Sequence, residues 1–141
     1  MAKKRFAIEL GYGADLHGEN MTTAAVRAVR DAVSHACLCG ILEICGLSDL
    51  DRVHVHAEAA VPDPESVDRD AVLSAIPLGQ KTLKVVKGGL IVEGVEVPRF
   101  APGVDHIVMA CAALTVSIET DAASDSSAPG KQACGCSAGD N

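Results

Sequence analysis

The residues best placed to do chemistry fall in one octapeptide, Gly11-Tyr12-Gly13-Ala14-Asp15-Leu16-His17-Gly18, which joins an apolar run at residues 5–10 to a helical pattern starting near Met21. Its three glycines admit backbone angles that a Cβ resists, and they let peptide N–H groups approach a bound group closely. Asp15 and His17 add a carboxylate and an imidazole. Such a couple serves general acid–base catalysis or divalent-metal ligation, because an aspartate near an imidazole orients the ring and raises its basicity. Asp15 and His17 are therefore the candidate catalytic residues, and Gly11, Gly13 and Gly18 the candidate ligand-binding positions. A structural role competes with this one: Asp15 would accept loop N–H bonds or favour the dipole of the following helix, and His17 would bond a carbonyl. Neither a GxGxxG dinucleotide fingerprint nor a phosphate loop ending in GK[ST] is present.

Three other groups carry reactive side chains. His54, His56 and Glu58 are spaced two apart, so a strand would put both imidazoles on one face, where they could converge on zinc; an exposed strand face explains them equally. Lys84 and Lys87 flank Val85-Val86, and Lys84 is the candidate cation for an acidic ligand. Cys37-Leu38-Cys39 with Cys45 lacks the CxxC pairs of structural zinc sites, and Cys134-Gly135-Cys136 offers only two thiolates. These residues name no cofactor.

The elements that must position these groups follow from periodicity. Phe6, Ile8 and Leu10 alternate with Ala7 and Glu9 as a strand with one buried face. Asn20, Thr22 and Thr23 offer N-cap chemistry for a helix over residues 22–39, with Val26, Val29, Val33 and Ala36 inward, and Arg27 and Asp31 paired on its surface. Gly40 would end or kink that helix, and residues 41–47 read as a further apolar turn or two. Residues 52–61 form a second strand, with Val53, Val55, Ala57 and Ala59 on one face. Asp63 or Asp68 caps a short helix through Ala71, Val72, Ala75 and Ile76, which Pro77 terminates. Residues 83–86 and 90–97, separated by Gly88-Gly89, read as a hairpin, and residues 107–118 as the longest strand. The expectation is an α+β fold: one mixed sheet of about five strands with two helices on one face.

Composition bounds the rest. The chain of 141 residues fits one domain over residues 1–120, followed at 121–141 by a polar tail too poor in apolar residues to order. Hydrophobic residues make up 48% but aromatics only 2%, so Val, Ile, Leu and Ala must fill the interior in thin layers. The net charge of −7, with no basic run beyond Lys3-Lys4-Arg5, argues against nucleic acid. No stretch has the form of a signal peptide, and residues 107–118 are too short to span a bilayer, which predicts a cytoplasmic protein with no membrane partner. Its six cysteines would be reduced thiols, four of them (Cys37, Cys39, Cys45 and Cys111) in apolar surroundings. Residues 107–118 are apolar on both faces, Ile107, Met109, Cys111 and Ala113 pointing one way and Val108, Ala110, Ala112 and Leu114 the other. Two helices cover only one face of a sheet, so the other predicts a homo-oligomer.

Gly11, Gly13, Asp15, His17 and Gly18 match GxGxDxHG, and through it the chain resembles a family of conserved hypothetical proteins named after a Listeria locus and found in bacteria and plants. The resemblance covers most of residues 1–120 and brings no reaction with it. The element order is also similar to the chorismate-mutase-like fold, which implies a trimer-based assembly with ligands in clefts between subunits. More remotely, it resembles one domain of the ring-opening hydrolases that act on cyanuric acid and barbiturate, whose serine–lysine pairs would imply cyclic-amide hydrolysis. Ser34, Ser74, Lys81, Lys84 and Lys87 are available, but no serine lies in a comparable glycine-rich setting. Together these readings predict a homo-oligomer binding a small polar molecule at an interface near the octapeptide. Hydrolysis of a cyclic amide is one outcome, and non-catalytic ligand or divalent-metal binding, at Asp15 and His17 or at His54 and His56, the other.

Overall fold

The structure, a computed structural model, describes residues 2–120. The expectation for the tail at 121–141, with Cys134 and Cys136, lies outside them. Eight main elements follow in order: β1 (Ala2–Asp15), α1 (Met21–His35), α2 (Cys39–Glu43), β2 (Val53–Val61), α3 (Arg69–Ser74), β3 (Gln80–Lys87), β4 (Leu90–Glu93) and β5 (His106–Thr120), with 3-10 turns before β2 and α3. The α+β architecture is as expected, with a third short helix. One sheet has the order β1-β5-β2-β3, and β4 pairs with β5 on the side that β2 occupies further along.

The buried face is built by alternation. Val53, Val55, Ala57, Ala59 and Val61 of β2 and Val108, Ala110, Ala112, Leu114, Val116 and Ile118 of β5 all face the helices and are buried. The residues between them lie on the opposite face. The helix above presents alanines: Ala24, Ala25, Ala28, Val29 and Ala32 are the buried residues of α1, while Val26 and Val33, expected inward, are only partly buried. The cause lies in β1. A Cβ on Gly11 would run into the Ala28 carbonyl and the Ala32 amide, and one on Gly13 into the Ala28 amide, so the two glycines let the helix backbone settle directly on the strand.

Four expectations need correction. α1 ends at His35, where the Ala36 N–H bonds the Val33 carbonyl, and Gly40 lies inside the separate helix α2 instead of terminating the first. Arg27 and Asp31 do not pair: Arg27 reaches back to the end of β1, and Asp31 accepts the Tyr12 N–H at 3.0 Å. Residues 83–97 do not form a hairpin, because β3 runs parallel to β2 and β4 antiparallel to β5. At the turn between them the Gly88 N–H bonds the Val61 carbonyl at 2.9 Å, and Gly89 takes φ of 69° where a Cβ would run into the Met109 carbonyl, as the chain crosses onto β5. Finally, Cys37, Cys39, Cys45 and Cys111 are free and exposed instead of buried among apolar groups, Cys111 because it lies on the uncovered face of β5.

That uncovered face is apolar toward one end. Ile8, Leu10 and Tyr12 of β1 are 55%, 68% and 68% exposed and stand beside Thr115, Ala113 and Cys111 of β5. No helix among the described residues is long and apolar enough to cross a membrane.

Candidate functional site

Much of the octapeptide is strand. β1 continues to Asp15, with Gly11 opposite Ala112 and Gly13 opposite Ala110, and the side of both glycines that could receive a ligand is filled by α1. The turn proper begins after Asp15. Its carboxylate is buried and braces that turn: Oδ2 accepts the Asn20 N–H at 3.0 Å, and Oδ1 lies 3.4 Å from Arg27 Nη1, which also donates to the Ala14 carbonyl at 2.5 Å. Gly18 is small for the same reason, since a Cβ there would fall 2.5 Å from Asp15 Oδ2. The brace in turn presents Asn20, whose side chain accepts the Thr23 N–H at 2.9 Å and caps α1.

His17 points elsewhere. Its exposed ring lies against Phe100, with centroids 5.4 Å apart and planes tilted by 38°, while the Asp15 carboxylate takes Asn20 and Arg27 as its polar partners. The residue that turns toward a second reactive group is Glu19. It adopts φ of 46°, a left-handed conformation uncommon for a residue with a Cβ, and its Oε1 lies 3.2 Å from His106 Nδ1 at the start of β5. Asp105 Oδ1 approaches the same nitrogen at 2.5 Å. One ligand atom from each of Glu19, Asp105 and His106 thus lies within 4.8 Å of the others. Glu19 and His106 also line a recess with Met21, Ile91 and Val108, and the segment between β4 and β5 supplies both Phe100 to His17 and Asp105 to the cluster.

The sequence reading missed this cluster. Glu19 lies one residue past the octapeptide, and the only signal at its partner was the adjacent acid–imidazole pair Asp105-His106 closing a loop before the longest strand. The other candidates stand apart from it. Lys84 is on β3, at the opposite edge of the sheet from β1, and pairs with Glu58 directly across β2 at 3.2 Å. His54 and His56 share a face but take separate partners, Glu119 Oε1 at 2.6 Å and Thr82 Oγ1 at 2.8 Å. Ser34 and Ser74 donate to the Asp31 and Asp70 carbonyls at 2.6 and 2.8 Å, so neither hydroxyl is paired with a lysine.

The chain belongs to the Lin0512 family of conserved hypothetical proteins, whose family model matches residues 5–116, a span that holds both the turn and the Asp105-His106 pair. It is similar to a crystal structure described as an FtsZ-like protein of unknown function from Nostoc punctiforme, at 45% identity and a TM-score of 0.76. That match covers 85% of this chain and 99% of the other. Among curated proteins there is no match.

Proposed function

We propose that this protein is a subunit of a homo-oligomer that binds a small polar ligand or a divalent cation beside the turn after β1, at Glu19, Asp105 and His106. The observation that carries this reading is the approach of two carboxylates to one imidazole nitrogen. A ring nitrogen holds at most one proton and can satisfy one of them fully, so negative charge accumulates where three oxygen and nitrogen donors converge. A divalent cation, or the cationic or hydroxyl-rich part of a small molecule, would relieve that charge. Asp15 contributes by shaping the turn, and Gly11, Gly13 and Gly18 by the close packing that holds it.

The assembly is supported by the apolar half of the uncovered sheet face, where Leu10 and Tyr12 are each 68% exposed in a single subunit. A trimer-based arrangement follows the likeness to the chorismate-mutase-like fold. A cytoplasmic setting agrees with the exposed free thiols, which a reducing compartment keeps unpaired. Binding is preferred to cyclic-amide hydrolysis because Ser34 and Ser74 spend their hydroxyls on their own helices.

Equilibrium dialysis of the purified protein against Mn²⁺ and Zn²⁺ tests the site. The unmodified chain should take up one of these ions saturably, and Glu19→Gln and His106→Ala should each weaken uptake by more than about tenfold while leaving the circular dichroism spectrum unchanged. Equal uptake by the unmodified chain and both variants would remove the cluster as the site.

A further inference from the structure

Toward the end of the uncovered face away from Tyr12, polar residues from several strands converge. The strand register sets Ser117, His54 and Gln80 in one row across β5, β2 and β3, and Thr115, His56 and Thr82 in the next. Together with Lys3 of β1 these residues line a shallow recess. It lies near the far end of β5 from His106, on the order of 35 Å along the strand at the usual rise per residue, so it is separate from the cluster at Glu19.

A donor count shows what the recess lacks. His54 Nε2 is engaged by Glu119, His56 Nδ1 by Thr82, and the Gln80 amide donates to the Asp51 carbonyl at 2.9 Å, so both imidazoles are held in fixed orientations. Ser117 is only 8% exposed, yet its hydroxyl has no hydrogen-bond partner among the described residues, and neither has that of Thr115. With the rest of the residue buried, that hydroxyl opens onto the recess, where it can donate to a group that enters. Lys3, at the exposed start of β1, adds a cationic side chain to the lining of the same recess. Of the nearby carboxylates, Glu119 is hydrogen-bonded to His54 and Glu58 is paired with Lys84. The unmet groups are thus two hydroxyls, one cation and the free Nε2 of His56. An ion bearing several acceptor oxygens complements them, whereas a metal ion would meet the positive charge of Lys3.

We propose that this recess binds a small oxyanion, the carboxylate or phosphate group of a small molecule, through Lys3, His56, Thr115 and Ser117. Ser117 is the selective element: its hydroxyl can reach only a group that enters the recess, whereas Lys3 alone would attract any anion loosely.

The test is titration of the full-length protein, at constant ionic strength, with inorganic phosphate in one arm and malonate in the other, followed by amide chemical shifts. Saturable shifts confined to residues 54–56, 80–82 and 115–117 are expected in at least one arm, and the arm that saturates identifies the oxyanion. Ser117→Ala, which removes only the hydroxyl, and Lys3→Met should each weaken the saturating anion by about fivefold or more. Linear, non-saturating shifts in both arms, or unchanged affinity in Ser117→Ala, would overturn the proposal. The cluster at Glu19 stands or falls separately, on metal uptake.

Discussion

Gly13→Ala is the sharpest test of how this molecule is held together. The added methyl would sit 2.6 Å from the Ala24 carbonyl and 2.6 Å from Arg27 Cβ, and closer still to the Ala28 amide. Two of those three obstacles are helix backbone, which cannot turn aside as a side chain can. The whole of α1 must lift, and Ala24, Ala25, Ala28, Val29 and Ala32, all 0% exposed, would lose contact with β1 and β5 together. Overpacking of a well-filled core costs about 1–3 kcal/mol, and a rigid obstacle places this case at about 3 kcal/mol or above. For a domain of this size that corresponds to a fall in Tm of roughly 10 °C, read by circular dichroism at fixed protein concentration. Gly46→Ala is the control, since Gly46 has φ of 62° and no atom within 4 Å of an added Cβ. Only backbone strain opposes that change, about 1 kcal/mol. Should Gly13→Ala melt within a degree or two of the parent, or no lower than Gly46→Ala, the glycines do not set the helix–strand distance.

Asp15→Asn should destabilise by about 1–3 kcal/mol in urea denaturation, because it weakens the acceptor for the Asn20 N–H and Arg27, whereas His17→Ala, at an exposed ring, should leave stability within about 0.5 kcal/mol. Similar losses in both would mean that the turn is not braced by Asp15. Leu10→Glu should convert the oligomer to a monomer with an unchanged circular dichroism spectrum, as judged by light scattering; a parent protein already monomeric at micromolar concentration refutes the sheet-face interface. Lys84→Ala should shift stability by less than about 0.5 kcal/mol, since its pair with Glu58 is open to solvent on both sides, and a larger loss would mark a role beyond that pair.

Strand and cap patterns were legible because they are local. The alternation from Val53 to Val61 and the Asp68 cap of α3, which accepts the Asp70 and Ala71 N–H groups, depend on neighbours within a few residues. The fate of β4 does not: Gly88-Gly89 reads the same whether the chain folds back on β3 or crosses to β5, and the choice rests on Met109 and His106, distant in sequence. The glycines of the octapeptide pose a similar ambiguity. A gap left for a ligand and a gap left for a helix are written with the same residue, and only the alanine stripe of α1, packed down on β1, distinguishes them. The meeting of Glu19 with Asp105 and His106 had no local trace, since it depends on β1 and β5 lying side by side and on the left-handed turn at Glu19.

Three strands, β1, β3 and β4, keep an outer edge among the described residues; β4 is only four residues long, and the edges of β1 and β3 are charged or blocked. On β1 the run Lys3-Lys4-Arg5 precedes a register shift between Arg5 and Ala7, and the Tyr12 N–H is taken by Asp31; on β3 Lys81, Lys84 and Lys87 recur along the strand. Lysines, bulges and capped amides are what keep a sheet from recruiting a foreign strand. Along β1 and β3 these features oppose side-by-side growth of copies into fibrils, so an added strand would meet charge or a missing amide at either end of the main run.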